Sequence, residues 1–171
     1  DLTIANSILW ANSGGEIEIY DGNEPVVTYS IVQGGYAGTG NLNADPKLGT
    51  LDNHGGFTQT IPLLPGSPAI DAANDTDCPA TDQRGMARPV GAHCDMGAYE
   101  AALFISGNAG VGGATLSYTD VTPKTVTADE NGDYTIVVSP GWGGVITPAS
   151  ENYILVPERR VYARLTTVLL A

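Results

Sequence analysis

The run VVTYSIVQG, Val26–Gly34, sets a pair of aliphatic residues on each side of Thr28-Tyr29-Ser30. The same plan occurs upstream in LTIANSILW, Leu2–Trp10, where Asn6-Ser7-Ile8 corresponds to Tyr29-Ser30-Ile31 at an offset of about 24 residues. Between them EIEIYDGN, Glu16–Asn23, alternates acidic residues with Ile and ends in Asp21-Gly22-Asn23, which predicts a strand with one wet face and a closing turn. Short strands recurring at this interval, broken by Gly and Asn, predict stacked coils of a solenoid.

Composition agrees with an all-β chain. The 171 residues include 22 Gly, 11 Pro and 8 Tyr, and few of the strong helix formers Lys, Arg and Met. A formal charge of −12 repels phosphate backbones and anionic bilayers, so nucleic acid is not an expected partner. No apolar run approaches the 18 or so residues of a membrane span, and no membrane insertion is expected. An acidic, Lys-poor, Gly/Thr/Asn-rich chain suits an extracellular or cell-surface location. Starting at Asp1 without an initiator Met, it reads as a processed product or an excised piece.

Downstream of Gly34 the pattern loosens into turn chemistry around Asp45-Pro46 and Asn53-His54-Gly55-Gly56. FTQTIPLL, Phe57–Leu64, alternates again and is expected as a strand before Pro65-Gly66-Ser67-Pro68. Together the segments NSILW, VVTYSIVQGGYAGTGNLNADPKLG and SPAIDAA resemble the last rungs of secreted right-handed parallel β-helix repeat proteins. These include bacterial surface proteins with a choice-of-anchor domain and the passenger regions of polymorphic outer-membrane proteins. The resemblance covers roughly residues 2–100 and implies a bacterial surface or extracellular setting.

Beyond Glu100 the character changes. Stretches of five to nine strand-forming residues, separated by Gly, Asn, Asp and Pro, predict seven strands in about 70 residues, hence a β-sandwich. Asp129-Glu130-Asn131-Gly132 is expected to turn a hairpin into the alternating strand at Tyr134–Val138. The order VGGATLSYTD followed by TVTADENGDY resembles bacterial Ig-like and carboxypeptidase-regulatory-like (transthyretin-type) modules over Phe104 to about Arg160. The expected division is residues 1–101, terminal coils with a disulfide-closed loop, and 102–171, a small Ig-like sandwich.

Ser67–Glu100 holds the chain's chemistry. Cys78 and Cys94 enclose a loop of about 16 residues and are expected to bridge, stabilising by roughly 3 kcal/mol in an oxidising compartment. A redox pair or half a metal site is the alternative, supported neither by CxxC spacing nor by a nearby ligand pair. Asp82, Arg84, Arg88, Asp95 and Glu100 suit bidentate pairs that hold a long irregular loop, and the β-helix resemblance implies that this combination closes the solenoid. In the competing reading Arg84 and Arg88 bind a carboxylated sugar.

Asp71, Asp75, Asp77 and Asp82 are candidate calcium ligands, although their spacing fits no EF-hand or nonapeptide repeat, and otherwise no cofactor is expected. Glu16 and Glu18, two apart on the expected strand, are the candidates for flanking a glycosidic oxygen; with no basic residue in the coil, a solvated face is expected and the chain is not expected to be an enzyme. His54 and His93 have no serine partner motif. Trp10, Tyr20, Tyr36 and Trp142, beside Gly or polar residues, are candidate sugar platforms, with Trp142 in Gly141-Trp142-Gly143-Gly144 expected to be the most exposed. Leu2 and Ile4 on an uncapped first coil, with Leu165, Val168, Leu169 and Leu170 on a strand-forming tail, are candidates for docking a second copy. The expected function is a non-catalytic structural or adhesive protein assembling head to tail; a carbohydrate-binding or polysaccharide-processing module is the alternative.

Overall fold

In the computed structural model, residues 2–20, 22–165 and 169–170 are described. All the extended elements are strands, and the one helical element among the described residues is a 3-10 turn at Asp75–Asp77. The chain divides into two compact units, Asp1–Ala101 and Ala102–Ala171.

In the first unit β1 (Thr3–Ala5) pairs in parallel with β3 (Val26–Thr28), and β2 (Ile8–Leu9) with β4 (Ile31–Val32). The register Ile8↔Ile31 is the one that the two Ser-Ile motifs dictate, at a step of 23 residues. The corner between strands is built twice in the same way. Asn6 (φ 50°) and Tyr29 (φ 45°) turn through left-handed backbone, and the following serines fold back, Ser7 Oγ donating to Ala5 O and Ser30 Oγ to Thr28 O, each at 2.8 Å. Ser7 N then donates to Ser30 Oγ at 3.1 Å, joining the two corners. A third pass follows, with Leu42 bridged in parallel to Ile31 and Asn41 Oδ1 accepting from Ser30 N. Ile31, Ala69, Cys94 and Met96 are fully buried in this unit's core, with Ile8 and Trp10 packed against them.

Two expected strands of this unit are absent. Residues 16–20 are irregular: among the described residues their alternation finds no partner strand, Ile19 and Tyr20 stay exposed, and Glu16 and Glu18 turn instead to their neighbours Asn12 and Tyr20. Phe57–Leu64 makes only isolated bridges, Thr60 to Asp52 and Leu63 to Leu48. Phe57 is wholly exposed, and Pro62 withholds the donor that a ladder needs.

Among the described residues the second unit contains seven strands: β5 (Leu103–Asn108), β6 (Thr115–Asp120), β7 (Thr122–Thr127), β8 (Asp133–Val138), β9 (Gly144–Ala149), β10 (Arg160–Tyr162) and β11 (Leu169–Leu170), the last two shorter than the five to nine residues expected. They form a four-stranded sheet in the order β10-β9-β6-β7 and a three-stranded sheet in the order β11-β5-β8. One core draws on both sheets, with Ile105, Leu116, Tyr118, Ile136, Val138 and Ile146 buried. Burial alternates along β6 and β8 as the period-2 pattern requires.

The turn at Asp129–Gly132 forms, with Asp129 Oδ1 accepting from Asn131 N and Asp133 N at 2.8 and 2.9 Å. It does not make a hairpin. β7 pairs with β6 and β8 with β5, so the turn carries the chain from one sheet to the other. β11 pairs in parallel with β5 of its own chain, Leu169 opposite Ile105.

Candidate functional site

Cys78 and Cys94 form a disulfide, with Cα atoms 6.4 Å apart. Its two arms are also joined by hydrogen bonds. Asn74 caps the 3-10 turn, its Oδ1 accepting from Thr76 N at 3.1 Å and its Nδ2 donating to Asp77 Oδ2 at 2.9 Å. Asp75 in that turn accepts from Cys94 N (2.9 Å) and pairs with His93 Nδ1 (2.7 Å). Ala73 N donates to Cys94 O and Met96 N to Ala69 O, so the apolar AIDAA segment lies along the second arm.

The side chains of Asp82, Arg84, Arg88, Asp95 and Glu100 are buried and bonded to one another or to backbone. Asp82 Oδ2 receives Arg84 Nε (2.9 Å), Arg84 Nη2 (2.7 Å) and Glu100 N (2.9 Å), while Oδ1 receives Arg84 N and Met86 N. Arg84 Nη2 also donates to Glu100 O at 2.6 Å. Arg88 donates to Asp95 O and Gly97 O, and its Nε lies 3.5 Å from Glu100 Oε2 without hydrogen-bond geometry, so that pair is held by charge alone. Glu100 accepts from Val90 N and Asp95 N; Asp95 accepts from Asp71 N and Ala101 N. Five side chains thus replace the ladder that this segment lacks.

Burial sets the electrostatics. It pushes Asp95 up to about 7, against the backbone donors Ala101 and Asp71 and with the neighbouring Glu100 charge adding to the rise. Burial also raises Glu100, over the opposing pull of Val90 N, Asp95 N and Arg88. At Asp82 burial is again the largest influence, but Glu100 N, the Arg84 guanidinium and two further backbone donors together outweigh it and lower the carboxyl. At the exposed pair, the hydrogen bond from His93 holds Asp75 low, and the same bond raises His93.

The remaining candidates are placed as follows. Asp82 is committed to Arg84, Asp75 to His93 and Cys94, Asp77 to Asn74, and Asp71 Oδ1 to His93 N. Among the described residues no three His, Cys, Asp or Glu side chains converge on a metal position, so the four aspartates are not brought together. Glu16 and Glu18 lose the strand that was to align them.

Trp142 is buried, not exposed: its Nε1 donates to Thr119 O at 2.7 Å and its ring meets Tyr118 edge-on at 6.2 Å. The flanking glycines make room for the indole, since a Cβ on Gly144 would lie 2.7 Å from Trp142 Cζ2. Trp10 packs against the first core and Tyr36 is half-buried, leaving Tyr20 as the exposed ring of the four. Of the docking candidates, Leu2 is exposed and Ile4 half-buried. Leu165 is buried in the second core and bonded through its backbone to Trp142, so it is not available to a second copy. Val168 lies outside the described residues, and Leu169 and Leu170 pair with β5.

Two residues escaped the sequence reading. Asn6 reaches the cysteine loop, and Tyr99 carries the Arg84 guanidinium on its ring, Cζ 3.4 Å from the centroid, with His54 edge-on at 6.1 Å. The signal for Tyr99 is its position one residue before Glu100, in the stretch already marked by charge. Asn6 has only its place beside the repeated Ser-Ile pair. Compared with known proteins, the chain matches no family model, no curated protein sequence and no solved structure.

Proposed function

We propose that this is a non-catalytic extracellular structural or adhesive protein, the end of a right-handed parallel β-helix followed by an Ig-like or transthyretin-type β-sandwich, that assembles head to tail through its first coil. The observation carrying this reading is one-sided pairing: among the described residues β1 pairs only with β3, and β2 only with β4. Val26 N donates to Leu2 O, which in a parallel ladder turns the N–H groups of Thr3 and Ala5 to the outer edge. Leu2, just before β1, is 66% exposed, and within β1 Thr3 is exposed while Ile4 and Ala5 are half-buried, so that edge is part apolar. Such an edge is a template for another strand.

The two equal parallel steps support the β-helix, and seven strands in a four-plus-three arrangement support the sandwich. The disulfide favours an oxidising compartment. No helix of the described residues is long and apolar enough to cross a membrane. A structural role for the loop is supported by its buried charges being spent on one another.

Electron microscopy of the purified chain, beside a Thr3→Pro variant, tests assembly. Proline removes an outward N–H and leaves the β1–β3 bonds in place. Filaments or sheets in the parent and none in the variant are expected; isolated particles in the parent contradict the proposal.

A further inference from the structure

Within the first unit, the corner at Asn6–Ile8, the segment from Leu48 to Leu63 and the loop Met96–Tyr99 enclose a groove of about 580 Å³. That lies inside the range of small-ligand sites, roughly 300–1,000 Å³. No side chain lining it is charged, in a chain of formal charge −12. Its floor is aliphatic, from Ile8, Leu48, Leu63 and Met96; its polar groups include Gln59, Gln83 and Tyr99.

The polar groups are held in place by the loop beside them. Arg84 covers one face of the half-buried Tyr99 ring at 3.4 Å and His54 meets the ring at 6.1 Å and near a right angle; Tyr99 lines the groove and neither of these two does. Arg84 is itself fixed by Asp82 and by Glu100 O. Gln83 N donates to Ala98 O at 3.1 Å, and Glu100 N to Asp82, so the chain is pinned on both sides of Tyr99. Gln83 Nε2 donates to Thr58 Oγ1 (2.7 Å) and Gln59 O (3.3 Å), orienting the amide with Oε1 left as an acceptor.

We propose that this groove binds an uncharged saccharide chain. A pyranose presents an apolar C–H face, which packs on an immobilised aromatic ring, and vicinal hydroxyls, which pair with amides. A hydrocarbon chain matches the floor but leaves the side-chain amides unmatched. Anionic sugars are disfavoured: the nearby Arg84 and Arg88 side chains are 8% and 3% exposed and already paired. This site is distinct from the four aromatics singled out in the sequence, and the inference does not rest on self-assembly.

Calorimetry on the whole chain with cellohexaose, xylohexaose, mannohexaose and chitohexaose, and with trigalacturonate as the charged comparison, tests it. At least one neutral hexasaccharide is expected to bind, with affinity little changed by salt. Tyr99→Phe should retain the binding, and Tyr99→Ala should weaken it about tenfold or more. Should Tyr99→Ala disturb the loop, Leu51→Glu serves instead: Leu51 borders the groove at 60% exposure, and a carboxylate there should abolish binding with the melting temperature unchanged. No heat with any neutral sugar, binding of trigalacturonate alone, capture of an apolar peptide in place of sugar, or sugar binding unaffected by both variants would each overturn the proposal.

Discussion

Asn6 and Asn74, 68 residues apart, exchange two hydrogen bonds: Asn6 Oδ1 accepts from Asn74 N at 2.7 Å, and Asn6 Nδ2 donates to Asn74 O at 3.0 Å. Gly97 N adds a third bond, to Asn6 O at 2.7 Å. One residue at the first corner therefore ties the parallel strands to both arms of the cysteine loop, to one through its side chain and to the other through its backbone carbonyl. Asn tolerates the left-handed backbone found at Asn6 better than most residues do. Asn6→Ala gives up both side-chain bonds and keeps the strained backbone, so a loss of about 2–3 kcal/mol is expected from the urea midpoint. Asn6→Asp keeps the acceptor and should fall between the two. A midpoint unchanged in Asn6→Ala would show that the loop is held elsewhere.

Opening the disulfide should act through the unfolded chain. Cys78→Ser is expected to cost roughly 3 kcal/mol and to lower the melting temperature, and the parent in reductant should melt with the variant. An unaltered melting curve would show that the bridge does not help to hold the loop.

Arg84 is the residue whose loss should hurt most. Its removal leaves Asp82 buried without its guanidinium and uncovers Tyr99, for an expected cost of about 3–5 kcal/mol. Arg84→Lys keeps the charge but cannot reproduce Nε and Nη2 on Asp82 together with Nη2 on Glu100 O, so only partial recovery is expected by chemical denaturation. Full recovery with Lys would mean that charge alone matters.

Asp95 makes stability depend on pH in an uncommon direction for a carboxylate. Its folded value, about 7, lies above its ordinary 3.8, so folding favours the protonated form. That contribution is complete below about pH 4 and is lost as pH rises through 7; Glu100, also raised, acts in the same direction. Asp82, lowered, contributes stability above about pH 4 and loses it as pH falls through its folded value. The melting temperature should therefore decline from pH 4.5 to 7.5. Asp95→Asn should flatten that decline, whereas an equally steep slope in the variant would assign it to other groups, His93 among them.

Much of this architecture was readable because local pattern and tertiary demand coincide. The Ser-Ile pair recurs at the 23-residue step between the paired parallel strands, and Tyr118, Tyr134, Ile136 and Val138 fall inward at every second position as their strands require. Alternation fails where no partner strand exists: residues 16–20 have the right rhythm and, among the described residues, nothing to pair with. Trp142 misled because flanking glycines suggest exposure, whereas here they admit the indole to the core. In the loop, Asp82 and Arg84 are near neighbours and their pairing could be anticipated, but the reach of Asn6 to Asn74, 68 residues apart, is set by the tertiary packing of the first unit, which no local spacing encodes.

Sedimentation velocity of the intact chain across a hundredfold range of concentration bears most directly on the proposed assembly. Mass that grows with concentration, and that collapses to a single chain in Thr3→Pro, is the result expected from an open β1 edge. A single species of one chain's mass at every concentration would contradict it.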